Sequence, residues 1–291
     1  MTSRETAKSG LGPGPAARPR LVATDLDGTL LRSDGTVSER TRAALVGCAG
    51  AGIDVVFVTA RPPRTILPVV EQTGIADIAA ASSGATVAIC SNGAVLYDFG
   101  TGKNTYVHEF SVEAARRVVD LLRPALPDAG FALETGEDAF REAAFLRSAV
   151  TPPPGAVAVE SLDTAWASAR RFVKVMARSP VRHADEMLAE SRRILGDLAE
   201  PSHSGARGLV ELAPPGSTKA GTLALLCDER GIDAQSVAAF GDMPNDLPML
   251  RWAGLPCAVA NAHRDVLAAV QTLTGSNDED GVAAMLETWF E

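Results

Sequence analysis

At 291 residues and 46% hydrophobic content, the chain can bury a proper core in one large domain or two smaller ones. A net charge of −9 with no basic stripe argues against a nucleic-acid partner, because a phosphate backbone demands a positive face. No run of ~18 apolar residues could span a membrane and the first residues lack the apolar segment of a signal peptide, so a soluble protein with no membrane partner is expected. The four cysteines, Cys48, Cys90, Cys227 and Cys257, stand far apart in apolar surroundings, which suits reduced core thiols and a cytoplasmic location better than disulfides or a zinc site.

In chain order, residues 1–19 are rich in Gly, Pro, Ala and Arg without periodicity and read as a disordered tail. Gly10-Leu-Gly-Pro-Gly14 within it has no strand before it and is not a phosphate loop. From Arg20 strands and helices alternate: a strand at 21–24, a helix at 38–50 capped by Ser38, a strand at 54–58, a helix opened by Pro62 and Pro63 that runs to about Thr73, and a strand at 87–90. Apolar runs separated by helices predict an α/β protein with a parallel sheet covered on both faces. Residues 104–206 then change pattern, mixing an amphipathic helix (112–126), strand-like pieces near Phe131 and Val157, a helix near 163–169, a strand at 172–176 and a helix around 185–198. They read as an α+β domain inserted in the first, with Pro152-Pro-Pro-Gly155 as a rigid turn inside it. Strands at 209–212, 237–240 and 258–259 are expected to resume the first sheet, so the core is assigned residues 20–103 and 207–291.

The chemistry concentrates in Leu21-Val-Ala-Thr-Asp-Leu-Asp-Gly-Thr-Leu30. Residues i and i+2 of an extended segment share a side, so a strand reaching its end would aim Asp25 and Asp27 at one place. Two acids sharing a site drive their proton affinities apart, leaving one ionised as nucleophile or metal ligand and the other with a proton to give. Gly28 permits a sharp turn whose amides can face an anion; the plainer reading is a strand terminated by common turn residues. Thr59 ends the second strand, where its hydroxyl and a neighbouring N–H could hold a phosphoryl oxygen or simply finish the strand. Lys219 opens a helix, so its charge and the helix N-terminus would act together on an anion, although a single lysine is by default a surface residue. Asp242 follows a strand, with Asn245 and Asp246 at the next helix start; such oxygen donors suit Mg²⁺, and Asp246 could equally be a helix cap. In an open parallel sheet ligands bind beyond the carboxyl ends of the strands, where these residues all fall.

Taken in order, Asp25-Leu-Asp-Gly-Thr-Leu30, Val58-Thr59-Ala-Arg61, Lys219 and Gly241-Asp242-Met-Pro-Asn245-Asp246 resemble the four motifs of the haloacid dehalogenase (HAD) superfamily. Ser91-Asn-Gly-Ala94, the run from Asp242 to Pro248-Met-Leu250, Val259-Ala-Asn-Ala262 and Asp280-Gly-Val282 resemble its Cof-type, or HAD-IIB, branch. The resemblance implies a Rossmann-like core with a C2-type cap, and a Mg²⁺-dependent phosphatase acting on a small phosphomonoester, a sugar phosphate or related metabolite. It implies Asp25 as nucleophile, Asp27 as acid and base, and Thr59 and Lys219 on the phosphoryl oxygens. Mg²⁺ would be held by the carboxylates of Asp25 and Asp242 and the backbone carbonyl of Asp27, with Asn245 and Asp246 orienting phosphate and metal waters. The presence of Asp27 and Asp242 sets the chain apart from the metal-free dehalogenases, and the lack of membrane spans from the ATPases. A phosphomutase on the same core and a non-enzymatic phospholigand sensor are the alternatives. Arg61 reads as a substrate contact or a salt-bridged helix start, and Asn92 as a substrate contact or a turn residue. His203 and Ser204 sit where the insert returns to the core. His108, His183 and His263 show no ligand spacing, and Asn277-Asp-Glu-Asp280 reads as a solvated helix start.

Overall fold

The computed structural model describes residues 18–82, 86–147 and 156–290. Residues 1–17 of the expected tail and the Pro152–Gly155 turn lie outside the described residues. Two sheets organise the chain. The larger contains β1 (Leu21–Thr24), β2 (Asp54–Val58), β3 (Val87–Cys90), β4 (Val95–Asp98) and β5 (Lys103–Tyr106). The smaller contains β6 (Gly130–Glu134), β7 (Ala139–Glu142), β8 (Ala156–Val159), β9 (Lys174–Arg178), β10 (Glu200–Ser202) and β11 (Leu209–Ala213). The chain then returns to the larger sheet with β12 (Val237–Gly241), β13 (Leu255–Val259) and β14 (Leu273–Thr274).

The larger sheet has the order β14-β13-β12-β1-β2-β3-β4-β5, parallel from β14 to β3 and antiparallel at β4 and β5. Its central strands are buried on both faces, as the unbroken apolar runs Leu21-Val-Ala and Val55-Val-Phe-Val58 require. Ser38 caps the helix Glu39–Gly50 by accepting from the Thr41 N–H at 3.0 Å, and Pro63 opens the helix Pro63–Val70 where no intrahelical donor is needed.

The smaller sheet has the order β10-β11-β9-β6-β7-β8 and its own apolar cluster. Period-2 alternation divides its faces. Phe131, Leu133, Val175, Ala177, Val210 and Leu212 pack into that cluster with the helices Val112–Leu122 and Ala184–Leu195, and the intervening residues face the other way.

Three expectations change. Leu209–Ala213 does not rejoin the larger sheet: it pairs antiparallel with β9 and β10. The expected division at 206/207 therefore precedes the last strand of the smaller sheet, and the one at 103/104 falls inside β5. A short buried apolar strand reads alike in either sheet, and the polar β5 carries no apolar signal. The strand expected at 172–176 forms two residues later, at 174–178, with Phe172 instead making an isolated bridge to Phe110.

The turn after β3 couples the sheet to the site. Asn92 adopts φ 57° and Gly93 φ 102°, and the Gly93 carbonyl accepts from Thr222 Oγ1 at 2.6 Å. A methyl at Gly93 would drive into the Thr218 carbonyl, in the residue that caps the helix Lys219–Glu229. Gly93→Ala should therefore cost about 2 kcal/mol or more, read as a shift in urea midpoint. Gly35→Ala, also left-handed (φ 80°) but with open space around it, should cost only about 1 kcal/mol. Equal effects at the two sites would show that backbone conformation, and not this packing, accounts for the loss.

Candidate active site

Asp25, Thr59 and Asp242 each follow the carboxyl end of a parallel strand, β1, β2 and β12, and Lys219 begins the facing helix. Strand β1 stops at Thr24, so the two acids of the first motif do not converge by strand alternation. Asp25 is 5% exposed, Leu26 is buried, and Asp27 stands half-exposed across the loop; both carboxylates nevertheless line one cavity.

Lys219 is 1% exposed and donates to Asp25 Oδ1 at 2.7 Å and Asp246 Oδ1 at 2.6 Å. Burial alone would push its ammonium down, but Asp246 and Asp25 outweigh that and hold it above its ordinary value. The other oxygen of Asp246 accepts from the backbone N–H groups of Asp242 (3.1 Å) and Met243 (2.9 Å), so both of its oxygens are engaged by protein donors. This is the expected capping role together with a hold on Lys219. Asp242 Oδ1 accepts from Thr29 Oγ1 at 2.8 Å, and the Asp242 carboxyl also contacts that of Asp25. Burial pushes Asp25 well above the usual carboxylate range, with Asp246 and Asp242 adding to it and Lys219 opposing. Burial and Asp246 push Asp242 up to about 6.

These acids fit a cation. Asp25, Asp242 and Asp246 offer carboxylate oxygens within 4.8 Å of one another, and Lys219 is the ammonium among them. Gly28, at φ 78°, leaves the space beside Asp242 Oδ2 that a Cβ at 2.5 Å would fill. Asn245, which donates to Asn92 Oδ1 at 3.3 Å, has a buried Oδ1 with no protein partner, an acceptor suited to a cation or its water.

Thr59 is fully buried; its hydroxyl accepts from the Arg61 N–H at 3.1 Å and retains its own proton to donate. Arg61 forms a two-bond ion pair with Asp27 at 2.7 and 2.5 Å, which raises the Arg61 pKa. Asn92 turns its amide toward Glu211 Oε2 (3.3 Å) and Ser202 Oγ (3.4 Å) of the smaller sheet, serving as turn residue and cross-sheet contact together. Ser204 lines the cavity, while His203 is buried against Asp185 at 3.0 Å.

The sequence reading missed the other wall. The cavity, about 640 Å³, is also lined by Arg64 and by Glu134, Arg141, Phe145, Lys174, Met176, Arg178, Leu209 and Glu211 of the inserted part. Lys174 and Glu211 form a buried ion pair, and Lys174 Nζ also donates to the Ala60 carbonyl at 2.6 Å. Arg64 pairs with Glu134. The available signal was a lone charge inside an apolar strand, Val173-Lys-Val and Val210-Glu-Leu212.

An open α/β core with carboxylates at its strand ends, roofed by an inserted sheet, defines a capped hydrolase of the phosphoryl-transfer kind. Residues 22–286 match the haloacid dehalogenase-like hydrolase family, and the chain belongs to it. It is 27% identical to the 5-amino-6-(5-phospho-D-ribitylamino)uracil phosphatase YwtE of Bacillus subtilis, over 92% of this chain and 97% of that one. It is 25% identical to the pyridoxal phosphate phosphatase YbhA of Escherichia coli, over 92% and 97%. Among solved structures, a haloacid dehalogenase-like hydrolase from B. subtilis superposes with a TM-score of 0.77 at 25% identity, covering 92% of this chain and 99% of the other. The HAD subclass IIB sugar phosphatase BT4131 shares the fold with a TM-score of 0.73 at 19% identity, covering 92% and 98%. The chain is thus a phosphatase of this family. Among the described residues no helix is long and apolar enough to cross a membrane, and all four cysteines are buried free thiols.

Removing the shared ammonium should expose the electrostatic load of the site. Lys219→Met leaves Asp25 and Asp246 buried without their cation, a loss of about 3–5 kcal/mol at pH 8 in a chelator. Without Lys219 the folded-state pKa of Asp25, already raised by burial, lies still further above its unfolded value, so the folded state binds more protons and stability returns as pH falls toward 5. Thermal melts across that range should show the variant closing on the wild type from pH 8 to pH 5; a pH-independent gap would mean the acids do not carry the load.

Proposed function

We propose that the protein hydrolyses a small phosphomonoester, a sugar phosphate or related metabolite, through an aspartyl-phosphate formed on Asp25, with Mg²⁺ in the acidic cluster. The observation that carries the reading is the Asp25 carboxylate, fixed through Oδ1 by Lys219 and in contact with Asp242 at the floor of a cavity large enough for a metabolite. The Asp25 and Asp242 carboxylates and the Asp27 backbone carbonyl would hold the ion, with Asp246 and Asn245 orienting its waters. When bound, Mg²⁺ supplies positive charge to the phosphoryl oxygens.

The chain's own residues account for the remaining steps. An Asp25 oxygen attacks phosphorus in line, forming the P–O(Asp25) bond as the bond to the ester oxygen breaks. Asp27 gives its proton to the departing oxygen, then takes one from the water whose oxygen attacks the aspartyl-phosphate; the P–O(Asp25) bond breaks and the carboxylate is restored. The Asp27–Arg61 pair is compatible with this role, since an incoming phosphoryl group competes for the Arg61 guanidinium and frees Asp27. Lys219, the Thr59 hydroxyl and loop amides stabilise the equatorial oxygens, where most of the catalysis of phosphoryl transfer resides. Relatives named as phosphatases support water, and not a second sugar hydroxyl, as the acceptor.

Hydrolysis of p-nitrophenyl phosphate should disappear on chelation and return with Mg²⁺. Asp25→Asn should lower kcat by roughly 10⁴-fold or more while circular dichroism stays native, as expected for a displaced nucleophile. Retained turnover in the folded variant would exclude the aspartyl-phosphate route, and full activity in chelator would exclude the metal.

A further inference from the structure

The inserted sheet turns one face to its helices and the other to the cavity, and the cavity face is charged. Most of the charges around the cavity are matched: Asp27 by Arg61 on the core, Glu134 by Arg64 and Glu211 by Lys174. Arg178 is different. It lines the cavity, its Nε is buried with no hydrogen-bond partner, and no carboxylate among the described residues forms an ion pair with it. Its guanidinium lies 5.2 Å from the centre of the Phe145 ring, and that of Arg141, which is 4% exposed, lies 6.0 Å from the same ring. The backbone is fitted to this arrangement. Gly130, paired in register with Arg178, has no room for a Cβ against the backbone of Ala144 and Phe145, which brings Phe145 down beside the two arginines.

The Arg178 guanidinium is half-buried and feels Glu211 without pairing with it, although a chain of net charge −9 has acids to spare for neutralising it. A fork of N–H donors on an aromatic platform instead matches an oxyanion brought in by a ligand. Distance sets the geometry of that ligand. Lys174 touches the Ala60 carbonyl beside Thr59, and Arg178 lies on the same face of β9 four residues further on, roughly 13 Å of extended chain.

Building on the phosphatase reading above, we infer that the group esterified to phosphate carries a second anionic end, a carboxylate or a second phosphate, and that Arg178 receives it with Arg141 beside it in the inserted-sheet wall of the cavity. The substrate is then an elongated dianionic ester with its two charged ends on the order of 10 Å apart, and Glu211, in register with Met176 midway along β9, faces its middle.

The test is binding, so it does not depend on turnover. Three phosphonates with the same hexyl chain, ended by a carboxylate, a second phosphonate or a carboxamide, are titrated calorimetrically into the full chain with Mg²⁺. At least one of the two charged-end ligands should bind about tenfold or more tightly than the carboxamide, and the better of the two distinguishes a carboxylate from a phosphate as the natural terminus. In Arg178→Met, which keeps an apolar contact on Phe145, that ratio should fall to near one, and Arg178→Lys should restore part of it. Equal affinity for all three ligands in the wild type overturns the inference whatever the variants do, as does an undiminished ratio in folded Arg178→Met. A wild type that hydrolyses aryl phosphate yet binds the three alike loses the second-anion subsite alone. A wild type that binds the charged ends selectively but hydrolyses no ester retains the subsite and loses the phosphatase reading.

Discussion

One buried ammonium orders the site. Lys219 has Asp25 on one side and Asp246 on the other, at 2.7 and 2.6 Å, and each carboxylate is itself tied to a strand end. Asp246 holds the backbone of Asp242 and Met243, Asp242 is steadied by Thr29, and the Asp25 N–H is fixed to the Phe240 carbonyl at 3.0 Å. Three segments distant in sequence meet at a point where the acids outnumber the cation, leaving Asp25 and Asp242 raised chiefly by burial. A site built this way is reluctant to be empty of positive charge, which is the physical basis of its fit to a divalent ion.

Legibility followed the type of signal each segment carried. The parallel core was readable because Leu21-Val-Ala and Val55-Val-Phe-Val58 are continuous apolar runs that stop at turn or polar residues, and helix starts were marked by Ser38 and Pro63. The same signal misplaced Leu209–Ala213, because a buried strand does not say which sheet buries it. The polar edge strand β5 carried no apolar pattern at all. At the site, Asp25, Lys219 and Asp242 were visible through motif order, and the structure brings them together. Sequence alone did not show that Asp27 is held on Arg61 or that Asp246 spends both oxygens on protein donors, since those depend on side-chain geometry across the fold. The roof was illegible as a site, although a single lysine or glutamate interrupting an apolar strand is the mark such a wall leaves.

The inserted sheet shows how one short strand serves two purposes. Val175 and Ala177 of β9 bind its helices into a separate apolar cluster, while Lys174, Met176 and Arg178 line the reaction chamber. Packing and cavity lining reside in alternate residues of one segment. A substitution on the chamber face would reshape the cavity wall without altering the packing behind it or the carboxylates of the core.

The seam between roof and floor is crossed by polar contacts. The crossings among Arg64 and Glu134, Lys174 and the Ala60 carbonyl, and Asn92 and Glu211 are polar, and the two large apolar clusters are centred on different sheets. Were the two halves to part, each of these polar crossings would exchange its partner for water. Because hydrogen bonds are directional, such crossings also fix a single register in which the halves meet, which apolar contact alone would not do.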